Sequence, residues 1–367
     1  MDKPFTFLVA GGGTGGHLFP ALAVVEAIQD LNPNSKFHFV GRVDKIEGTI
    51  IPKLGYDFHP IKIEGLKSLY SPKNIEILFR IWKSERIIND LLKKYKIDAV
   101  IATGAYISYP PCKVASKRNI PIFLIESNVN PGKTISILAP KSTILFTSFT
   151  ETENFFKNKK VKQIIYSGNP IRKTFFNSIP MQEARLKFGL KPDLKTVFVV
   201  GGSLGAKVIN QCIEANLDKF ENNNIQLLWQ TGSNYKVQKK IGKNVAQFDF
   251  IEDMVSAYSA ADLVVSRSGA SALAEIAIIG KPSILIPFQQ GLNNEQLRNA
   301  KYLEKMNAAF VLMQENINES LINTIINLIN NPEKLHEIET NVKKFAKPDA
   351  SKIIAENILT NLNNFNK

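Results

Sequence analysis

The sequence predicts an α/β protein made of two doubly wound parallel sheets. Three observations lead there. Short β-branched, apolar runs alternate with helical patterns along the whole chain, as they do where helices cover both faces of a parallel sheet. The 367 residues exceed the usual span of one hydrophobic core, so two domains are expected. Each half also opens with an apolar run that feeds a glycine-rich turn and then a helix, at 5–16 and again at 196–206.

Taken in order, strands are expected at 5–10, 36–40, 58–61, 99–102, 122–125, 143–146 and 163–166 in the first half. The second half offers runs at 196–200, 226–230, 246–250, 263–266, 283–286 and 309–312. Gly168 and Pro170 punctuate the chain between the two sets and mark a domain break. The expected divisions are residues 1–166, 167–345 and a terminal segment 346–367, whose helical stretch at 350–362 is expected to pack back on the first domain. Two such domains facing one another would form a cleft at the carboxyl ends of both sheets, where open α/β folds bind ligands.

A hydrophobic fraction of 44% describes a globular chain, neither disordered nor integral to a membrane. The net charge of +13 favours an anionic partner, whether nucleic acid, acidic lipid or phosphorylated substrate. Residues 1–165 carry 23 Lys/Arg against 14 Asp/Glu, and residues 166–367 carry 23 against 19. A Lys- and Asn-rich coding bias accounts for part of this. Cys112 and Cys212 lie far apart and outside any metal-binding motif, which suggests a reducing compartment. Met1–Pro4 run straight into the first strand, so no leader is expected, and no apolar run is long enough to span a bilayer.

The first glycine turn runs Gly11, Gly12, Gly13, Thr14, Gly15, Gly16 and ends in His17. Glycines let the backbone approach a ligand, and the N–H groups of the following helix offer an anion site. The histidine adds a titratable imidazole at the mouth of that site. In the second turn Ser203 adds a hydroxyl to the backbone donors. A dinucleotide site would place an acidic residue at the end of the next strand. Those ends read Val40-Gly41-Arg42 and Trp229-Gln230-Thr231, without the acid, so a dehydrogenase is disfavoured; Arg42 leaves NADP formally open.

Further on, Ser266 to Glu275 follow a strand and begin a helix, placing Ser268, Gly269 and Ala270 at an N-terminus suited to phosphate. Glu275 could accept hydrogen bonds from a ribose diol or be a helix-surface charge. The amide-rich loop 289–296 suits sugar hydroxyls or is simply solvated. Tyr106 and Ser108 follow one strand end and Glu126, Ser127 and Asn128 another, where α/β sites gather polar groups. Tyr106 could equally be a packing aromatic. In the stretch 66–86, Leu69, Tyr70, Ile75, Leu78, Phe79 and Trp82 are interleaved with Lys67, Lys73, Arg80, Lys83 and Arg86. That mixture suits an anionic membrane surface, or an amphipathic core helix with basic solvent positions. His38, His59 and His336 lack partners at catalytic or metal spacing.

In order along the chain, residues 12–20, 104–108, 126–128, 168–172, 201–210, 266–275 and 294–300 resemble the motifs of the bacterial N-acetylglucosaminyltransferase family that converts lipid I to lipid II in peptidoglycan synthesis. The resemblance implies a B-type glycosyltransferase fold of two Rossmann-like domains, with UDP-GlcNAc held mainly by the second. It implies that Ile251 pairs with uracil through its backbone, with Met254 near the nucleotide, and that Glu275 binds the ribose. Ser203, Arg172, Ser268, Gly269 and Ala270 would meet the diphosphate, and Gln296 the GlcNAc hydroxyls. Asn210 and Arg267 would support the site. Thr14, Gly15, Gly16 and Asn128 count among the donor contacts, while Thr14 and Asn128 also face the lipid-linked acceptor with His17, Tyr106 and Glu126. Gly12, Gly13, Gly104 and Ser108 join Tyr106 on the acceptor side. Ile75, Leu78, Phe79 and Trp82 match the family's membrane-docking surface. Ala105 stands where many relatives have a second glycine, and Glu295 where some have glutamine.

The implied reaction is an inverting displacement in which the C4 hydroxyl of MurNAc attacks C1 of UDP-GlcNAc. His17 is the first candidate for the base and Glu126 the second. No Asp-x-Asp cation motif is present, so no metal and no cofactor are expected. The resemblance further implies a peripheral enzyme on the cytoplasmic face of the inner membrane, with cell-wall synthesis proteins as possible partners. A UDP-GlcNAc epimerase or a glycolipid glycosyltransferase on the same fold is the nearest alternative. A nucleic-acid module would use the charge but needs stacking aromatics or a groove-reading motif, and the sequence shows neither.

Overall fold

The structure is a computed structural model that describes residues 3–65, 73–289 and 294–365. Its contacts divide the chain into two units, one formed by Met1–Arg172 with Lys347–Lys367 and the other by Lys173–Ala346.

The first unit is built on a parallel sheet of β1 (Thr6–Ala10), β2 (Lys36–Gly41), β3 (Asp57–Pro60), β4 (Ala99–Ala102), β5 (Ile122–Glu126), β6 (Ile144–Thr147) and β7 (Ile164–Tyr166). The strands lie in the order β3-β2-β1-β4-β5-β6-β7. Its helices are α1 (Gly15–Leu31), α2 (Ile46–Lys53), α3 (Lys73–Lys94), α4 (Tyr109–Lys117) and α5 (Lys133–Leu138). Successive strand residues point to opposite faces, and here both faces are apolar. Phe7, Val9, Ile101 and Ile125 pack with Leu18, Val25 and Ile28 of α1 on one side. Leu8, Val100, Leu124 and Leu145 pack with Ile88 of α3 and Ala115 of α4 on the other. Burial on two sides is why these strands read as unbroken apolar runs.

The second unit repeats the plan with β8 (Thr196–Val200), β9 (Gln226–Gln230), β10 (Val245–Phe248), β11 (Leu263–Ser266), β12 (Ser283–Leu285) and β13 (Phe310–Val311), ordered β10-β9-β8-β11-β12-β13 and parallel throughout. Its helices are α6 (Met181–Lys187), α7 (Lys207–Ala215), α8 (Leu217–Asn222), α9 (Met254–Ala260), α10 (Ala270–Ile279), α11 (Glu295–Lys305), α12 (Ile317–Ile329) and α13 (Pro332–Phe345). In both sheets the order reverses beside the first strand, between β1 and β4 and between β8 and β11. Such reversals open a crevice at the carboxyl ends of the strands.

The last helix, α14 (Ala350–Phe365), packs on α1. Its buried Ile354, Ile358 and Leu362 recur every four residues and join the first unit's core. The divide between the units falls after Arg172 rather than after residue 166. Backbone bonds explain the difference: the N–H groups of Ser167 and Gly168 both donate to the Thr147 carbonyl, at 3.0 and 3.2 Å. Gly168, at φ +84, lies so close to Lys347 that a Cβ there would sit 2.3 Å from the lysine Cβ. Residues 167–172 therefore stay with the first sheet.

Candidate active site

In the first unit, the reversal between β1 and β4 brings the turn 11–16 against the turn 103–108. Thr14 is the N-cap of α1, so Gly15, Gly16 and His17 form its first turn. The N–H groups of Gly15 and Gly16 have no hydrogen-bond partner among the described residues. His17 is pinned from β4: its Nδ1 donates to the Thr103 carbonyl at 2.7 Å, and Thr103 Oγ1 donates to the His17 carbonyl at 2.8 Å. A carbonyl can only accept, so the proton of the neutral ring sits on Nδ1 and the Nε2 lone pair is left open. Burial pushes the His17 pKa down, opposed by the Thr103 hydrogen bond and then by the charge of Glu47. The ring is therefore neutral near pH 7 and able to take a proton.

Glu47, which no sequence motif singles out, lies beneath this turn. It is 1% exposed. Its Oε2 accepts the Gly13 N–H at 2.8 Å and its Oε1 the Arg42 N–H at 3.1 Å. The Arg42 guanidinium forks onto Asp44, at 2.9 and 2.6 Å, and donates to the Ile63 carbonyl. Tyr106 stands beside it.

The adjoining turn holds its residues in different ways. Ser108 is fully buried, and its hydroxyl donates to the Gly104 carbonyl with the Ala10 carbonyl also within reach at 3.2 Å, so its side chain closes the turn. Ala105 adopts φ 53, ψ 170. Glycine tolerates that region and other residues avoid it. At the end of β5, Glu126 is 3% exposed. Its carboxylate accepts from the backbone and side-chain nitrogens of Asn128, at 2.9 and 3.2 Å, and from the Gly132 N–H at 2.8 Å. These bonds order the loop that leads into α5. Arg172 lies over the ring of Phe19, two residues beyond His17, with its guanidinium carbon 4.5 Å from the centroid.

In the second unit, the turn 201–206 lies beside Thr231 and Gly232 with no room for a side chain between them. A Cβ on Gly205 would sit 1.9 Å from the Thr231 carbonyl oxygen, and one on Gly232 would sit 2.2 Å from the Gly205 nitrogen. Asn210 locks the same loops from beneath: its Nδ2 donates to the Thr231 carbonyl at 2.7 Å and its Oδ1 accepts from Trp229 Nε1 at 3.1 Å. Ser203 is exposed at the tip. Gln230 is a second residue the sequence did not flag. It donates to the Gly202 carbonyl at 3.0 Å and accepts the Ile251 N–H at 2.9 Å, which leaves Ile251 its carbonyl to offer a base. Met254 opens α9, behind the N-cap Asp253.

Ser268, Gly269 and Ala270 lead into α10 with Gly269 as N-cap. The Ser268 hydroxyl donates to the Gln296 carbonyl at 2.8 Å, tying α10 to α11. Gln296 Oε1 accepts the Phe288 N–H at 2.9 Å, so its amide nitrogen is the group left to meet a sugar. Glu275, in mid-α10, accepts from the Tyr258 hydroxyl at 3.2 Å. Arg267 donates to the Ile286 carbonyl at 3.0 Å and to Gln314 at 2.8 Å, and burial pushes its pKa down to about 10. Burial raises the pKa of Glu295 at the start of α11. Residues 290–293 of the amide-rich loop lie outside the described residues.

On α3, Ile75, Leu78, Phe79 and Trp82 are 76%, 57%, 60% and 46% exposed, a single apolar stripe at helical spacing. Arg86 lies 3.7 Å over the Trp82 ring, and Arg80 pairs with Glu64 and Glu76. The opposite face buries Ile77, Ser84, Ile88 and Leu92. Leu69, Tyr70 and Lys67 of the same stretch fall outside the described residues. No helix among the described residues is long and apolar enough to cross a membrane. His38 and His59 have closer partners than their spacing suggested: β2–β3 register brings them within 3.3 Å of each other, with Asp57 3.2 Å from His38. Among the described residues no three His, Cys, Asp or Glu side chains gather into a metal-binding group.

Two family models match the chain: the N-terminal domain of glycosyltransferase family 28 over residues 7–147 and its C-terminal domain over residues 196–354. A UDP-N-acetylglucosamine–N-acetylmuramyl-(pentapeptide) pyrophosphoryl-undecaprenol N-acetylglucosamine transferase from Phocaeicola vulgatus is 35% identical, over 98% of this chain and 96% of its own length. The chain belongs to this transferase family. A second member, from Bacteroides thetaiotaomicron, is 34% identical over 98% of both chains. The crystal structure of MurG from Acinetobacter baumannii superposes with a TM-score of 0.76, at 23% identity, over 98% of this chain and all of that one. Membership in the family fits two parallel-sheet units of the B-type glycosyltransferase kind.

Proposed function

We propose that this chain transfers N-acetylglucosamine from UDP-GlcNAc, with inversion, to the C4 hydroxyl of MurNAc in undecaprenyl-pyrophosphoryl-MurNAc-pentapeptide (lipid I), giving lipid II and UDP for peptidoglycan synthesis. The observation that carries the mechanism is the fixed tautomer of His17. As the C4 oxygen attacks C1 and the bond from C1 to the UDP oxygen breaks, the hydroxyl proton passes to His17 Nε2. Glu126 accepts N–H groups from Asn128 and Gly132, which supports it as the organiser of the acceptor loop, with Asn128, rather than as the base.

On the acceptor side, the open N–H groups of Gly15 and Gly16, with Gly12, Gly13 and Gly104 nearby, suit a pyrophosphate. Thr14, Tyr106 and Ser108 belong to the same wall, Ser108 by shaping it. For the donor, the N-terminus of α10 at Ser268–Ala270, the turn carrying Ser203, and Arg172 offset the charge that develops on UDP. Glu275 takes the ribose hydroxyls, the Ile251 carbonyl the uracil N–H, and the Gln296 amide nitrogen the GlcNAc hydroxyls. Asn210 holds the glycine turn, and Met254 borders the nucleotide.

The stripe of Ile75, Leu78, Phe79 and Trp82, rimmed by cations, supports peripheral association with an anionic membrane at the cytoplasmic face. The deciding experiment incubates the chain with UDP-GlcNAc and a lipid I analogue. Release of UDP with formation of the disaccharide lipid is expected; a folded chain that releases neither overturns the reading.

A further inference from the structure

The carboxylate of Glu47 is buried where no core residue of ordinary kind would place a charge, and two glycines, Gly12 and Gly41, make room for it, while Gly48 lets its helix start close against Val43. A Cβ on Gly12 would sit 2.5–2.8 Å from the carboxyl group, one on Gly41 would sit 2.4 Å from the Glu47 Cγ, and one on Gly48 would sit 2.3 Å from the Val43 carbonyl oxygen. The carboxylate in turn holds one N–H from each of two loops, Gly13 after β1 and Arg42 after β2. A buried carboxylate bonded this way is acceptor-only and strongly held. Gly13 takes φ +87, a conformation open to glycine, and its N–H is engaged by Glu47.

We propose that Glu47 is a positioning residue for the transfer: it clamps the turn 11–16 from beneath, fixing the first turn of α1 that carries His17. The proposal rests on His17 being the base. Around that ring, the turn after β4 supplies the Thr103 carbonyl and Gly104, and Ile135 of α5 flanks Gly104. On α1 itself, Phe19 carries Arg172. The charge of the Glu47 carboxylate, after the Thr103 hydrogen bond, partly offsets the effect of burial on the imidazole. Glu47 thus serves the imidazolium as a carboxylate partner does, through space instead of through a hydrogen bond.

Two variants separate charge from reach. Glu47→Gln keeps an acceptor oxygen and loses the charge, while Glu47→Asp keeps the charge and shortens the arm. The first readout is the titration of the His17 Cε1 proton by NMR, assigned with His17→Ala, in the full chain without substrate. Glu47→Gln is expected to lower the His17 midpoint, as loss of a neighbouring opposite charge does. The second is steady-state transfer on the pH plateau, where Glu47→Asp is expected to lower kcat about tenfold or more through misplacement, with the KM for UDP-GlcNAc unchanged. A His17 midpoint that does not move in Glu47→Gln, or wild-type kcat in Glu47→Asp, overturns the proposal. Should the Gln variant not fold, the Asp variant decides. A shifted midpoint in a chain whose wild type transfers no sugar would strike the transferase reading and leave the electrostatic link standing.

Discussion

His17 and Thr103 hold each other twice, ring nitrogen to carbonyl at 2.7 Å and hydroxyl to carbonyl at 2.8 Å, across the point where the first sheet reverses its order. The pairing turns a helix residue and a strand-end residue into one rigid unit, and it settles which ring nitrogen is open. His17→Ala should therefore lower kcat about 10²- to 10⁴-fold, the usual worth of a general base, with UDP-GlcNAc affinity kept. Thr103→Val leaves the backbone acceptor in place and removes only the return bond. It should cost about 1 kcal/mol of stability and far less activity. Single-turnover kinetics and denaturant unfolding read the two effects; equal losses of kcat in both variants would argue against His17 as the base.

Burial depresses the pKa of His17, and of His38 and His59 beside β2 and β3, below the ordinary 6.5. The sign follows from proton counting. Between the folded values and 6.5, the unfolded chain binds more protons than the folded one, so stability rises with pH there. The full contribution is present above 6.5 and is lost as pH falls toward the folded values. The unfolding temperature should drop between pH 7 and pH 5.5, where most carboxylates stay ionised. The acid limb of kcat/KM should likewise lie below pH 6.5. Calorimetry over this interval checks the first statement, and a flat profile would refute it.

Much of the fold was legible because its strands are buried on both faces, so that runs such as 196–200 and 263–266 announce themselves in sequence and recur as β8 and β11. The glycine turns were legible for a related reason: Gly205 and Gly232 admit no Cβ at all. What stayed hidden depends on contacts between distant residues. Glu47 meets Gly13 across 34 positions and belongs to no motif in the sequence. Gln230 was noticed only for not being acidic, yet it joins Gly202 to Ile251. His38 and His59 meet only because β2 and β3 pair in the register that sets His38 opposite Asp57. Sequence spacing carries none of that.

The departure at Ala105 now has a physical meaning. At φ 53 and ψ 170 its Cβ is crowded by its own backbone, a conformation costing of order 1–3 kcal/mol outside glycine. Ala105→Gly should raise stability by about 1 kcal/mol, the relief being partly offset by the greater freedom of glycine in the unfolded chain. Because Ser108 and Thr103 hold the turn from either side, its shape should persist and kcat should change little. Chemical denaturation of the two proteins measures the difference. A destabilised Ala105→Gly would mean that the turn carries no such strain.

Exposure of Phe79 and Trp82 gives the membrane reading a direct test. Their rings stand 5.7 Å apart on one side of α3, while Ile77, Ser84 and Ile88 anchor the helix from the other. Changing both aromatics to serine should therefore leave the fold and the affinity for UDP-GlcNAc intact. Burying a phenylalanine side chain is worth about 1.5–3 kcal/mol, so losing both rings should weaken binding to vesicles containing acidic phospholipid by at least about tenfold. Binding of the unaltered chain should also weaken with salt, since Lys83 and Arg86 act through a screened charge attraction. Vesicle co-sedimentation reports both effects. If the double variant sediments with acidic vesicles as well as the unaltered chain does, the apolar stripe on α3 is not what meets the membrane.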